Sequence, residues 1–321
     1  MKHFIVDEQN EKQRLDKFLA SKLELTRSQI KKAILNGSVL VNKKPVSVHE
    51  FLRVKDIVAF DDGPKKVETA KPKIIKQKFD KKLTPKIIKK TKNYIIIDKP
   101  AGLLVHPTHK NETDTLVDWL VQKFPEIMKI ADPVALQKRD DTFRSGIVHR
   151  LDREVSGVML IARTQTGFEY YKEQFKQKNV DKEYLALVHG VLPDSEGEID
   201  FEISRKTSGE KMASHPNGSG KGKPALTRYE VLEKFKATSL VSVNILTGRT
   251  NQIRVHFFAL GNPIVGDQLY KSKTINDKIK CSRAFLHAAK LGFTDMTGEK
   301  QEFESALPEE LDLLLQNLES K

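Results

Sequence analysis

His149-Arg150-Leu151-Asp152-Arg153-Glu154-Val155-Ser156-Gly157 runs without a break into Val158-Met159-Leu160-Ile161-Ala162. A polar, charge-rich run leading at once into apolar residues is the pattern of a loop docked on a buried strand. Such loops hold reactive groups rigidly, because the scaffold behind them is packed. Asp152 lies between Arg150 and Arg153. Nearby cations favour an ionised carboxylate, which suits a nucleophile or a base. On its own the run fits an ordinary surface ion-pair cluster equally well.

Outward from this run, Tyr94-Ile95-Ile96-Ile97, Leu185-Ala186-Leu187-Val188 and Leu240-Val241-Ser242-Val243-Asn244-Ile245 also read as strands. Helical periodicity appears near 113–124, 165–178 and 250–260. The two are mixed without a βαβ rhythm, which predicts an α+β fold and not a doubly wound sheet. No internal repeat is found. Residues 205–224, rich in Lys, Gly and Ser, read as a mobile loop. Within them Gly218-Ser219-Gly220-Lys221-Gly222-Lys223 looks like a phosphate cradle, but it lacks the P-loop spacing and a preceding strand. No dinucleotide fingerprint and no H-x-x-x-H pair is present, so neither a nucleotide cofactor nor a metal is expected.

Residues 14–60 read as a small α/β unit. Leu15, Phe18, Leu19 and Leu23 share one helix face. Thr26 with Gln29 is a capping box opening a second helix, with Ile30, Ala33 and Ile34 inward and Gly37 at its end. Val39–Val41 and Ile57–Phe60 come next as strands, with a turn near Lys43-Lys44-Pro45. Arg27, Lys31 and Lys32 avoid the apolar face of the second helix and form a positive ridge.

Charge is distributed unevenly over the 321 residues. Residues 1–62 are net +3, residues 63–92 are net +10 and residues 93–321 are net zero. A basic end on an otherwise balanced chain points to a polyanion, nucleic acid above all. Residues 63–92 hold 12 Lys and read as a linker, with Ile87-Ile88 compatible with the first strand of the next domain. The expected organisation is therefore 1–62, a linker over 63–92, and a catalytic domain over 93–321. The single cysteine, Cys281, excludes an intrachain disulfide. No apolar run approaches the roughly 18 residues of a bilayer span, and Met1 to Glu11 is unlike a secretory signal. No membrane association is expected, and the expected compartment is the cytoplasm.

Four segments, in order, resemble the motifs of the RluA-type pseudouridine synthases. The first is Asp98-Lys99-Pro100-Ala101-Gly102-Leu103-Leu104-Val105-His106-Pro107, and the second is the run from His149 to Ala162. The third is Lys182-Glu183-Tyr184-Leu185-Ala186-Leu187-Val188-His189-Gly190. The fourth runs from Thr247-Gly248-Arg249-Thr250-Asn251-Gln252-Ile253-Arg254-Val255-His256 through Gly261 to Asp267 and Tyr270. The run Arg14-Leu15-Asp16-Lys17, Thr26-Arg27-Ser28 and Gly37 to Asn42 resembles the S-four-like RNA-binding domain, which accompanies many members of that family.

The resemblance implies a mixed, mostly antiparallel sheet bisected by a cleft, and isomerisation of uridine to pseudouridine in RNA. No cofactor or metal is required, because the atoms are conserved. It makes Asp152 the essential carboxylate, Tyr184 the active-site phenol and Arg254 the partner of the aspartate. It puts Ile253 against the uracil, Arg150 in the space left by an extruded nucleotide, and His149 and Arg249 at the RNA. Read from the residues alone, Tyr184 fits a core position at the start of a strand. Thr250 fits the cap of a helix whose apolar face is Ile253, Phe257 and Leu260, with Arg254 beside it. Asn251 stands where the family commonly has His, which leads us to expect altered helix capping or RNA contact. Thr294-Asp295-Met296 replaces a frequent His-Pro. The expected substrate is large-subunit ribosomal RNA, with transfer RNA as the alternative, and the expected state is a monomer. A non-catalytic RNA-binding assembly factor is the rival of another class. A glycoside hydrolase would need a second carboxylate across the bond, and none stands out.

Overall fold

The computed structural model describes residues 1–26, 29–30, 33–34, 37–46, 50–61, 79–107, 114–130, 146–206, 211–272, 275 and 279–319. These fall into two compact units, residues 1–61 and residues 79–319.

The smaller unit is a four-stranded antiparallel sheet, in the order β1 (Lys2–Ile5), β4 (Ile57–Phe60), β2 (Val39–Val41), β3 (Lys44–Pro45). Helix α1 (Leu15–Lys22) buries Leu15, Phe18 and Leu19 completely, as its periodicity requires. The capping box forms: Thr26 N donates to Gln29 Oε1 at 2.7 Å and Gln29 N to Thr26 Oγ1 at 3.3 Å. Ile30, Ala33 and Ile34 face the same core, and Gly37 takes φ +69° to end the helix. The turn lies one residue earlier than expected. Asn42 and Lys43, both at positive φ, make a two-residue hairpin between β2 and β3. Arg27, Lys31 and Lys32, the expected positive ridge, lie outside the described residues.

The larger unit is built on a ten-stranded sheet. Its path is β10 (Met212–Pro216), β9 (Glu196–Arg205), β11 (Lys223–Lys234), β12 (Thr238–Ile245), β8 (Asp181–His189), β13 (Leu286–Thr294), β7 (Ser156–Ala162), β6 (Tyr94–Lys99), β5 (Lys86–Lys90). The last strand, β14 (Lys300–Glu304), pairs with β13. Around it lie helices α2 (Leu116–Lys123), α3 (Gln165–Gln177), α4 (Gln252–Ala259) and α5 (Glu309–Gln316), with short 3-10 helices at Lys81–Leu83 and Pro125–Lys129. The four strands read from the sequence are β6, β7, β8 and β12, and every residue of β7 is buried.

Every pairing of this sheet is antiparallel except β13 with β7, which covers only His287↔Ser156 and Ala288↔Gly157. Gly157 makes that approach possible. At φ +122° a Cβ would lie 2.1 Å from the Ala288 carbonyl oxygen. The strand that continues the charged run is thus fixed in the middle of the sheet.

Two expectations are corrected here. The linker does not extend to residue 92, because Lys86–Lys90 pairs with β6 as an edge strand, where lysines on an open edge discourage further pairing. Residues 212–216 and 223–224, expected in a mobile loop, are strand residues. The glycine-rich turn between them is folded onto Glu202, whose carboxylate accepts from Ser219 Oγ at 2.8 Å, Gly222 N at 2.9 Å and Gly220 N at 3.2 Å. These bonds, led by the Gly222 amide, hold Glu202 below the usual carboxylate range. The apparent phosphate cradle is filled by the chain's own carboxylate.

Candidate active site

The charged run before β7 is anchored from behind. Lys99, the last residue of β6, is fully buried. Its Nζ donates to the carbonyls of Pro100 at 2.8 Å, Leu103 at 2.9 Å and Arg153 at 3.2 Å. Burial pushes this amine down to about 7, while the negative charge of Asp152 works in the opposite direction. The three carbonyl acceptors also favour the ammonium. Gly102 N donates to the same Arg153 carbonyl at 2.8 Å. Arg283, only 6% exposed, ties the other end of the run. It donates to the Glu154 carbonyl at 3.2 Å, to Ser156 Oγ at 3.0 Å and to Glu310 of α5 at 2.9 Å.

His149, expected at the RNA, is half-buried and engaged by the protein itself. Its Nε2 accepts the Leu160 backbone N–H at 2.9 Å, and its ring stacks on Phe175 of α3 at 4.4 Å. Leu160 lies beyond the short contact with β13, so the imidazole supplies an acceptor where strand pairing has ended. Burial, helped by the charge of Lys182, lowers His149 to about 3 and keeps it neutral.

Asp152 emerges from this anchored run with a side chain 21% exposed. Arg254 Nη1 donates to its Oδ2 at 3.2 Å. The same guanidinium makes a bidentate pair with Asp267, Nε to Oδ2 at 2.6 Å and Nη2 to Oδ1 at 2.8 Å. Asp267 is fully enclosed, and its Oδ1 also accepts the Leu269 and Tyr270 amides at 2.8 and 3.0 Å. Burial opposes the charge of Arg254, but Asp267 and then Asp152 outweigh it and raise its pKa. Burial likewise works against ionised Asp267, and the Arg254 bonds with the two amides hold it low. The arrangement is one cation between two carboxylates, one sealed and one open.

Asp152 opens on a cleft whose lining includes Tyr184, Ile253, Arg150 and Arg249. Tyr184 is 8% exposed. Burial first, then the Asp152 charge, raises its phenol well above the ordinary tyrosine range, so it stays protonated. Ile253 supplies an apolar wall from the first turn of α4. Arg150 and Arg249 are at the mouth, Arg150 exposed and Arg249 half-buried, with Arg249 Nε on the Pro224 carbonyl at 3.2 Å. The site can therefore present an ionised carboxylate, a phenolic donor and a flat apolar wall to a small planar group, with two cations outside for a polyanion.

Of the residues expected from sequence, Asp152, Tyr184, Arg254, Ile253, Arg150 and Arg249 are brought together. Asp267, Lys99 and Arg283 were missed, although Lys99 and Asp267 stand within the family-like motifs. Two details of α4 are corrected. Thr250 is not its cap: Asn251 occupies that position in the left-handed conformation with no side-chain cap bond. Instead the Gln252 side chain accepts from Thr247 Oγ1 at 2.7 Å and Arg249 N at 3.1 Å. Leu260 is 41% exposed and leaves the apolar face that Ile253 and Phe257 share. Thr294 is bound through both backbone groups to Gln174 of α3, at 2.7 and 3.1 Å, so this departure is ordered. Among the described residues, no three His, Cys, Asp or Glu stand together to hold a metal ion, and no helix is long and apolar enough to cross a membrane.

Residues 93–259 match the family described as RNA pseudouridylate synthase, and residues 13–58 match the S4 domain. The protein named Uncharacterized RNA pseudouridine synthase YlyB of Bacillus subtilis (strain 168) is 32% identical over 314 residues, 97% of this chain and 96% of that relative. Ribosomal large subunit pseudouridine synthase D of Neisseria meningitidis (serogroup A, strain Z2491) is 34% identical over 313 residues, 94% of this chain and 78% of its own. Among solved structures, Human RNA Pseudouridylate Synthase Domain Containing 1 superposes with a TM-score of 0.56 at 26% identity, covering 75% of this chain and 96% of that one.

Proposed function

The chain belongs to the RNA pseudouridylate synthase family, and from that premise we propose that it isomerises uridine in large-subunit ribosomal RNA through Asp152. The N1–C1′ glycosidic bond breaks, the uracil turns, and C5 bonds to C1′. The proton on C5 is lost and N1 gains one, so atoms and electrons balance without a redox partner.

The observation that carries the role of Asp152 is its contact with Arg254 at the wall of a cavity shared with Tyr184. An ionised carboxylate can attack C1′ or remove a ribose proton, and the same geometry serves both routes. Tyr184, kept protonated, stacks against the uracil and donates a hydrogen bond as it turns. Ile253 bounds the ring on the other side. Arg150 fills the gap left when the nucleotide is extruded, and Arg249 holds backbone phosphate.

The ribosomal assignment draws on relatives named ribosomal large subunit pseudouridine synthase D and on the S4 domain with its basic continuation. Residues 1–62 and the lysine-rich residues after them supply affinity, and residues from β5 onward supply chemistry.

The test is pseudouridine mapping of total RNA by carbodiimide-stopped reverse transcription, in cells with and without the gene. Stops in large-subunit ribosomal RNA should vanish on deletion, return with the wild-type gene and stay absent with Asp152→Asn. Stops lost only from transfer RNA would move the substrate, and rescue by Asp152→Asn would end the catalytic role.

A further inference from the structure

Asn251 holds an unusual place. It opens α4 at φ 54° and ψ 25°, a left-handed conformation that asparagine tolerates better than most residues. Its side chain does not cap the helix. It lies between Asp152 and Tyr270. With its nitrogen toward the carboxylate, the amide donates to Asp152 Oδ2 at 2.7 Å and its oxygen accepts from Tyr270 Oη at 3.3 Å. This orientation satisfies both ends of the amide, whereas the reverse would set its oxygen against a carboxylate oxygen.

The Tyr270 hydroxyl fixes that orientation in turn. Met212 N, at the start of β10, donates to Tyr270 Oη at 2.9 Å. That lone pair is taken, and the hydroxyl proton can point at Asn251 at 3.3 Å, nearer than its other acceptor, the Met212 carbonyl at 3.5 Å. Tyr270 is 3% exposed and is held from two further directions. Its backbone N–H donates to Asp267 at 3.0 Å, and the Arg254 guanidinium lies over its ring at 5.5 Å. One tyrosine thus touches Asn251, Arg254 and Asp267.

Both supports of Asp152 fall on the same oxygen. Oδ2 receives Asn251 at 2.7 Å and Arg254 at 3.2 Å, while Oδ1 receives only a longer contact from Asn251 at 3.2 Å.

We propose that Asn251 and Tyr270 are positioning residues: with Met212 they form a one-directional hydrogen-bond chain that locks Asp152 Oδ2 and leaves Oδ1 as the reacting oxygen. This rests on the catalytic role proposed for Asp152. The other groups that face or act on this carboxylate are Arg254 from α4, with Asp267 behind it, Tyr184 from β8, Arg249 before α4 and Lys99 from β6. None of them duplicates the amide, because none both donates to Oδ2 and is fixed by a hydroxyl.

Three full-length variants test it. In Asn251→Gly the left-handed backbone stays unstrained and only the amide is lost. Its melting temperature should match wild type, with kcat on the mapped RNA lower by about 10–100-fold and KM little changed. Tyr270→Phe keeps the ring over Arg254, and combining it with Asn251→Gly should add nothing to the loss. Asn251→Asp puts a second carboxylate beside the first, and the pair should share a proton. The acid limb of its kcat profile should then move up by about a pH unit or more. Wild-type kcat and an unshifted profile across these variants would overturn the proposal. A further readout does not depend on the RNA. The Asn251 side-chain amide resonance, assigned by its loss in Asn251→Gly, should move in both Asp152→Ala and Tyr270→Phe. If it moves in neither, the chain does not exist. Failure of wild type to modify RNA would refute the function proposed above, and the resonance would still judge this inference.

Discussion

Arg254 is bound more tightly to Asp267 than to Asp152, by two bonds of 2.6 and 2.8 Å against one of 3.2 Å. The sealed carboxylate neutralises and orients the cation. The open one borrows its remaining N–H. Removing Asp267 should therefore act on Asp152 through Arg254. Asp267→Ala leaves a buried guanidinium without its main partner and should cost about 3–5 kcal/mol in urea unfolding. A loss below about 1 kcal/mol would mean that the pair is solvated in solution.

His149 makes stability depend on acid. Its folded value of about 3 lies below the ordinary 6.5, so the unfolded chain takes up the proton first as pH falls. Stability contributed by the neutral ring is full above about pH 6.5 and declines toward pH 3, by roughly 1.4 kcal/mol per pH unit in that window. His256, lowered to about 4, acts in the same direction. His149→Gln keeps an acceptor for Leu160 and removes the titration. Between pH 7 and 5 the variant should lose about 2 kcal/mol less than wild type, and equal losses would show that the ring is not buried neutral.

Affinity and chemistry should separate along the chain. Residues 1–78 carry +8 of the net +13, and the buried clusters of the two units share no residue. A protein beginning at residue 79 retains β5. Its affinity for RNA should drop by about tenfold or more, with a shallower dependence on salt. Its single-turnover rate at saturating RNA should stay within a few-fold of wild type. Filter binding across a salt series, beside rapid-quench rates, reads both, and an unchanged salt slope would place the RNA contact elsewhere.

Gly157→Ala should be among the most damaging single substitutions outside the site. A methyl group there meets the Ala288 backbone at 2.1 Å in a conformation that alanine resists. The β7–β13 pairing must open, at more than about 4 kcal/mol. Soluble protein with a near-native melting temperature would refute this reading of the fork in the sheet.

The central strands were legible because Ile95-Ile96-Ile97 and Val158 to Ala162 are continuous apolar runs, buried on both faces. The second helix of the small unit was legible from Thr26 and Gln29, since a capping box is local. Strand β1 was not, and β5 showed only through Ile87-Ile88. Both are short edges, largely exposed, with no alternation to read. Asp152, Tyr184 and Arg254 were found through motif resemblance, but their mutual geometry spans up to 102 residues of chain. Asp267 went unremarked because its role comes from enclosure, which no local pattern encodes. Asn251 was read as a capping or RNA-contact residue, since a polar residue at a helix start fits both. The bond from Leu160 N to His149 Nε2 could not be foreseen, because it depends on where the pairing of β7 with β13 stops.

The Lys99 ammonium, ringed by the carbonyls of Pro100, Leu103 and Arg153, is the counterpart of a monovalent ion in an oxygen cage, except that it is tethered. A free ion would come and go with the composition of the medium. This one is tethered and can be lost only by deprotonation, so the cradle beneath Asp152 answers to pH and not to which salts surround the protein, while the RNA grip proposed for the basic N-terminal region answers to salt. Electrolyte should govern how often the enzyme meets its substrate and leave untouched how fast it works once they have met.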